Sequence, residues 1–258
     1  MLELINVTKI FNKGTPNEKI ALNNVSLTLQ DEDFVTIIGG NGAGKSTLMN
    51  VISGKMKPDS GRILIDGKDI TNMSEHKRAK FFGRVFQDPL MGTAANMLIE
   101  ENLSVASLRG KRRTLRFGIS KKERAKYKEL LKELDLGLED RLKTEVGLLS
   151  GGQRQALTLL MASMNNPKLL LLDEHTAALD PKTSAKVLAI TDKIVNENRL
   201  TTLMITHNMH DAIIHGNRLI MMNNGEIALD ISGEEKRSLT VKSLLDRFDG
   251  VASDRMLL

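Results

Sequence analysis

Gly39-Gly40-Asn41-Gly42-Ala43-Gly44-Lys45-Ser46, followed by Thr47, constrains this 258-residue chain more than any other stretch. It fits G-x-x-x-x-G-K-[ST] without a gap, the P-loop pattern. The apolar run Phe34–Ile38 precedes it and reads as a buried strand, and Leu48–Ser53 follows with helical character and Gly54 as its C-cap. Strand, glycine loop and helix in that order are the context the pattern requires. Glycines let the backbone curl so that successive N–H groups converge on phosphate oxygens. The helix N-terminus adds roughly half a positive charge at the same point. Lys45 would reach the β- and γ-phosphates, and the Ser46 hydroxyl would ligate Mg²⁺. A Gly-rich turn with a chance lysine is the competing reading, and the flanking strand and helix weigh against it.

Two further stretches carry chemistry. Leu169–Leu172 followed by Asp173 and Glu174 puts two carboxylates at the C-terminal end of a buried strand, the edge where open α/β sheets bind ligands. Asp173 suits a direct or second-sphere hold on Mg²⁺, and Glu174 suits a general base for water. Leu149-Ser150-Gly151-Gly152-Gln153-Arg154-Gln155 offers Ser150 as N-cap of a helix running to Ser163. Its two glycines leave backbone N–H groups uncovered at a positive helix end, so a phosphate could approach. A plain capped helix start is the alternative. His207 stands after the strand Thr202–Thr206, and Gln87 after a short strand Arg84–Phe86. The imidazole could contact a γ-phosphate and the glutamine could touch Mg²⁺ or water. His76, His175, His210 and His215 show no metal-ligand spacing and read as ordinary histidines.

Composition narrows the classes. Hydrophobic residues make up 41% and charged residues 27%, an ordinary globular balance, and cysteine is absent, which excludes disulfides and thiolate metal sites. The early residues, Met1-Leu2-Glu3-Leu4-Ile5, lack the build of a signal peptide, and no apolar run approaches the roughly 18 residues of a spanning helix. The expected location is cytoplasmic. No Trp, one Tyr and seven Phe leave little with which to stack bases, so nucleic acid is not an expected partner. The net charge of +5 is modest.

Along the chain, residues 2–8 alternate like an edge strand, and Ile20–Leu29 alternates again with Ala21, Val25, Leu27 and Leu29 on the apolar side. Arg62–Asp66 is a short strand ending at Gly67. From about 93 to 165 the periodicity is helical. Within it, Arg109 to Lys128 holds ten cations, which read as a solvated surface, a face for anionic lipid or a membrane partner's loops, or, third, a nucleic-acid contact. A helix over 182–197, the strand at 202–206, a hairpin about Asn223-Asn224-Gly225 and a closing helix over 239–248 complete the order. Alternating strands and helices predict an α/β core on a mainly parallel sheet, with antiparallel pieces and a helical insertion.

Taken together, these stretches resemble the nucleotide-binding subunit of ATP-binding-cassette (ABC) transporters, over essentially the whole chain. The resemblance makes Gly39–Thr47 the Walker A loop, Gln87 the Q-loop glutamine, Leu149–Gln155 the ABC signature and Leu169–Asp173 Walker B. Glu174 becomes the catalytic glutamate, Ala178-Leu179-Asp180 the D-loop and His207 the switch histidine. Phe11 falls where an adenine-stacking aromatic stands, although Tyr is commoner there. Gly40 replaces the usual Pro or Ser, and His175 the Pro that often follows the glutamate. The implied fold is one P-loop NTPase domain over residues 1–250, with a RecA-like core, an antiparallel β subdomain, a helical subdomain near 93–165 and a short tail at 251–258. The implied activity is ATP hydrolysis with Mg²⁺ held by Ser46, Gln87 and Asp173. Two subunits would pair head to tail, each ATP lying between one P-loop and the partner's Ser150–Gln153, with Asp180 at the same interface.

An integral-membrane permease is the implied partner, served in turn by a substrate-binding protein, and the subunit would sit on the inner face of the membrane. The run Gly92–Leu103 with Glu174–Asp180 is similar to importer ATPases whose permeases resemble branched-chain amino-acid permeases and whose binding proteins are of tryptophan/tyrosine type. An ABC-type assembly factor, as in iron–sulphur cluster biogenesis, or a soluble translation-associated ABC protein are the alternatives.

Overall fold

The computed structural model describes residues 1–111 and 118–254, in two compact units. One is formed by Met1–Ser74 with Thr201 onward, the other by Glu75–Leu200.

The first unit opens with β1 (Leu2–Phe11), β2 (Lys19–Leu29), β3 (Phe34–Ile38), α1 (Lys45–Ser53), β4 (Ser60–Ile65) and β5 (Lys68–Asp69). An antiparallel sheet in the order β2-β1-β4-β5 results, with Leu2 opposite Leu29 on one side and Ile65 on the other. β1 is therefore an inner strand and not the expected edge. Alternation reports which faces are buried and says nothing about how many neighbours a strand has. In β2, Ala21 and Leu22 are both buried because the register shifts between Ile20 and Leu22; a second shift falls between Leu22 and Val25, where Asn24 takes φ 51°.

The second unit contains α2 (Glu75–Arg78), β6 (Phe82–Val85), α3 (Ile99–Ser107), α4 (Lys121–Lys132), α5 (Gly151–Ser163), β7 (Leu169–Asp173) and α6 (Pro181–Glu197). β6 and β7 run parallel, Val85 opposite Leu172. Four leucines of β7 are fully buried, which is what an uninterrupted leucine run requires of a covered parallel strand. β6 begins and ends earlier than the expected Arg84–Phe86.

The chain returns to the first unit with β8 (Thr202–Ile205), α7 (Met209–Ile214), β9 (Arg218–Asn223), β10 (Glu226–Ser232), α8 (Gly233–Arg237) and α9 (Val241–Asp254). β3 lies between β8 and β9, parallel to both, and β10 closes antiparallel on β9 through the Asn223–Gly225 turn. Ile38, Ala212, Leu219, Met221, Ile231, Leu239 and Leu244 pack into one core there. The α/β expectation holds, with parallel strands at the core and a separate antiparallel sheet. No helix among the described residues is long and apolar enough to cross a membrane.

Candidate nucleotide site

In the first unit the P-loop leaves the C-terminal end of β3. Gly39 has φ 151°, and a Cβ there would stand 2.3 Å from the Met222 carbonyl oxygen; Gly44 has φ 103°, and a Cβ would stand 2.5 Å from the Ala21 carbonyl oxygen. Neither position accepts a side chain. Gly40 differs: nothing lies within 4 Å of its Cβ position. Gly44 N-caps α1 without a side-chain cap, so no capping side chain takes the first amides of the helix, while the Ala43 amide donates to the Gly40 carbonyl at 3.2 Å. Lys45 is buried, and its ammonium donates to the carbonyls of Gly39 at 2.8 Å and Gly40 at 3.1 Å. Those bonds lay the amine along the loop. Ser46 is exposed at the first turn, beside the half-buried Thr47.

Phe11 ends β1 opposite Lys19, with the Lys9 amine 6.0 Å from its ring centroid. The Lys19 amine lies 3.2 Å from the Cβ position of Gly42, so this strand end borders the loop. Lys19 is a cation beside the phosphate cradle that no motif announced. His207 stands two residues beyond Ile205, and Gly39 two beyond Ile37, which is the register partner of Ile205. The exposed histidine and the loop therefore share one strand edge. Thr206 steadies it, its hydroxyl accepting from the Asn208 amide at 3.0 Å.

In the second unit the same logic pairs Gln87 with Glu174. Each lies two residues past a member of the Val85–Leu172 pair, on one C-terminal edge. Gln87 is exposed, and the preceding carbonyl of Phe86 accepts from the fully buried Gln155 amide at 3.1 Å. Asp173 takes a 2.9 Å hydrogen bond from Arg84, which also packs on the Phe86 ring at 4.8 Å. Glu174 adopts φ 48°, a left-handed conformation that costs a non-glycine residue roughly 1–3 kcal/mol.

Ser150 caps α5, its hydroxyl accepting from the Gln153 amide at 3.3 Å while the Gln153 side chain accepts from Ser150 N at 3.2 Å. This reciprocal capping box follows from the S-x-x-Q spacing. Gly151 is exposed. Gly152 is buried, and a Cβ would meet the Thr183 methyl at 2.2 Å. The second glycine is thus demanded by packing of α5 on α6, whatever it also does for a ligand. Leu179 lies against Gly151, and Asp180 caps α6 by accepting from the Thr183 amide at 3.1 Å. The Thr183 hydroxyl and amide hold the Asp180 carboxyl below the usual range.

The basic stretch is not a uniform cationic face. Arg109 donates to the Ala162 carbonyl, Arg124 forks onto Glu100, and Lys128 pairs with Asp140 at 2.9 Å. Arg112, Arg113 and Arg116 lie outside the described residues.

Ser46 of the first unit offers a hydroxyl, and Gln87 and Asp173 of the second offer an amide and a carboxylate; oxygen donors of these kinds suit Mg²⁺. Among the described residues no three His, Cys, Asp or Glu form a metal cluster by themselves.

The family model described as ABC transporter matches residues 22–177. The chain is 47% identical over 249 residues to a tyrosine transport ATP-binding protein of Clostridioides difficile, covering 96% of this chain and 99% of that one. A methionine import ATP-binding protein of Corynebacterium efficiens is 36% identical over 231 residues, which are 88% of this chain and 61% of that one. Among solved structures, a dimeric ATP-binding cassette in a post-hydrolysis state bound to ADP and Pi is similar with a TM-score of 0.76. It is 31% identical, covering 90% of this chain and 98% of that one.

Proposed function

Since the chain belongs to the ATP-binding subunits of ABC transporters, we propose that its ATP hydrolysis drives uptake of an amino acid, with an aromatic one such as tyrosine as the cargo class. The activity itself is ATP hydrolysis that powers import of a small solute through a membrane transporter. Both relatives above are transport proteins, which favours this reading over a soluble assembly or translation role.

The observation that carries it is the loop Gly39–Ser46, closed to side chains at Gly39 and Gly44 with the Lys45 amine laid along it. In the proposed mechanism, Lys45 and the amides from Asn41 to Thr47 bind the β- and γ-phosphates, and Phe11 stacks on the adenine. Ser46, Gln87 and Asp173 would hold Mg²⁺, which would supply positive charge beside the phosphates. Glu174 accepts the proton of the attacking water, and His207 hydrogen-bonds the γ-phosphate and holds that water in line. Ser150, Gly151, Gly152 and Gln153 close on the nucleotide of a second copy of the chain, with Asp180 beside them. Residues 1–250 act as one ATPase domain seated on the cytoplasmic face of a permease, with a substrate-binding protein on the other side of the membrane.

The test is Glu174→Gln. Since a positioned base contributes about 10²–10⁴-fold, turnover should fall by that factor while ATP binding persists. Gel filtration with ATP should show a stable dimer. Turnover at the wild-type rate would remove Glu174 from the base role.

A further inference from the structure

Between Asp173 and Asp180 the chain has one buried side chain, His175, which is 2% exposed. Its Nε2 lies 3.0 Å from the hydroxyl oxygen of Thr191, in the middle of α6 and itself fully buried. The Thr191 hydroxyl has a single proton, and the Val187 carbonyl, which can only accept, lies 2.9 Å away. That proton goes to Val187. The hydroxyl must then accept from His175, so Nε2 carries the hydrogen. One hydrogen-bond chain, His175 to Thr191 to Val187, ties the loop after β7 to the body of α6.

The residue preceding this tether is Glu174, held at φ 48°, with its carbonyl accepting from the Ala177 amide at 3.0 Å. A left-handed non-glycine residue persists only where its surroundings over-determine it. Here the turn bond on one side and the buried imidazole on the other supply that determination. We propose that His175, through its hydrogen bond to Thr191, is a positioning residue that fixes the backbone turn at Glu174 and so aims its carboxylate at the attacking water. The proposal rests on Glu174 being the base. His175, being buried, acts through its neighbour.

The geometry separates this role from mere core filling. Thr191→Val keeps the shape of the side chain and removes the acceptor, leaving a buried N–H unsatisfied, which displaces the imidazole. Thr191→Ser keeps the hydroxyl. His175→Gln keeps a donor at the reach of Nε2, and His175→Leu fills the space without one. Misplacing a reacting group by about an ångström costs up to about a hundredfold in rate. Accordingly, Thr191→Val and His175→Leu should each lower kcat about ten- to a hundredfold, with KM for ATP within about twofold of wild type. Thr191→Ser and His175→Gln should recover most of that loss, and the Val/Leu double variant should be little worse than either single one.

The measurements are steady-state ATPase kinetics, fluorescent-nucleotide binding and melting temperature on the full chain. The proposal is overturned if Thr191→Val and His175→Leu lower only the melting temperature, or if the hydroxyl- and donor-retaining variants fall as far as the others. Should either Thr191 variant not fold, the His175 pair decides on its own. Glu174→Gln, run in parallel, keeps the two readings apart. If it abolishes turnover while Thr191→Val does not, the tether alone is wrong. If it turns over normally, the assignment of the base is wrong and the proposal goes with it.

Discussion

The Arg84 guanidinium donates to the Asp173 carboxylate at 2.9 Å, from one strand of the β6–β7 pair to the end of the next, with the two side chains only 11% and 16% exposed. An ion pair this sheltered is one whose members depend on each other, because removing either leaves a charge with little access to water. Arg84→Leu should destabilise the protein by about 2–4 kcal/mol in urea unfolding. Arg84→Lys should recover part of this, since an ammonium keeps the charge and loses the planar fork. Equal stability of wild type and Arg84→Leu would show that the pair contributes nothing.

The glycines of the phosphate loop are not equivalent. Gly40 has open space at its Cβ position, and Gly44 has a carbonyl oxygen at 2.5 Å with φ 103°. Gly40→Ser should bind ATP within about threefold of wild type, and Gly44→Ser should lose binding by more than about a hundredfold, a difference of at least about 2 kcal/mol. Isothermal titration with ATP reads both. A matching loss in the two variants would contradict the loop geometry.

The second glycine of the Ser150–Gln153 stretch makes a separate prediction. Gly152→Ala puts a methyl against the Thr183 methyl, and overpacking of this kind costs about 1–3 kcal/mol. In a Thr183→Ser background that methyl is gone, and the same change should become neutral or stabilise by up to about 1 kcal/mol, as alanine does in a helix interior. A double-mutant cycle on unfolding free energy measures the coupling; additivity would show that the two residues do not meet.

Much of this was legible in advance, for identifiable reasons. β3 and β7 announced themselves because a strand covered on both faces is largely apolar, and the capping box at Ser150 because its spacing is local. What depended on distant partners was not legible. Gly152 looks like a ligand-exposed glycine until Thr183, thirty-odd residues later, is seen beside it. Lys19 borders the P-loop only because β1 and β2 pair as they do. Arg124 counted as one more surface cation, whereas its fork closes on a buried Glu100. Charge runs reveal composition, and the partner that decides each charge's role lies elsewhere in the chain.

That last pair gives a pH prediction. The hydrogen bonds from Arg124 hold the Glu100 carboxyl below its ordinary value of 4.5. A depressed pKa in the folded protein contributes stability that is fully present above the unfolded value and is lost as pH falls through the folded one. The melting temperature of Glu100→Gln should therefore lie below that of wild type at about pH 7, and the gap should narrow as the pH is lowered past about 4.5. A gap independent of pH would assign the difference to packing.

The placement of β3 also has a consequence for how the protein is made. β3 carries the phosphate loop, yet its two sheet neighbours are β8 and β9, which follow it only after more than 160 further residues. Loop-closure entropy makes such distant parallel pairings slow to form. During synthesis, at about 5–20 residues per second, the Phe34–Ile38 strand must wait roughly 10–40 seconds for its partners to emerge. Through that interval a largely apolar strand, with Thr36 its one polar residue, has no sheet of its own to join. The Glu75–Leu200 unit, synthesised in between, can complete its own β6–β7 pairing before the strand that carries the phosphate loop has either neighbour.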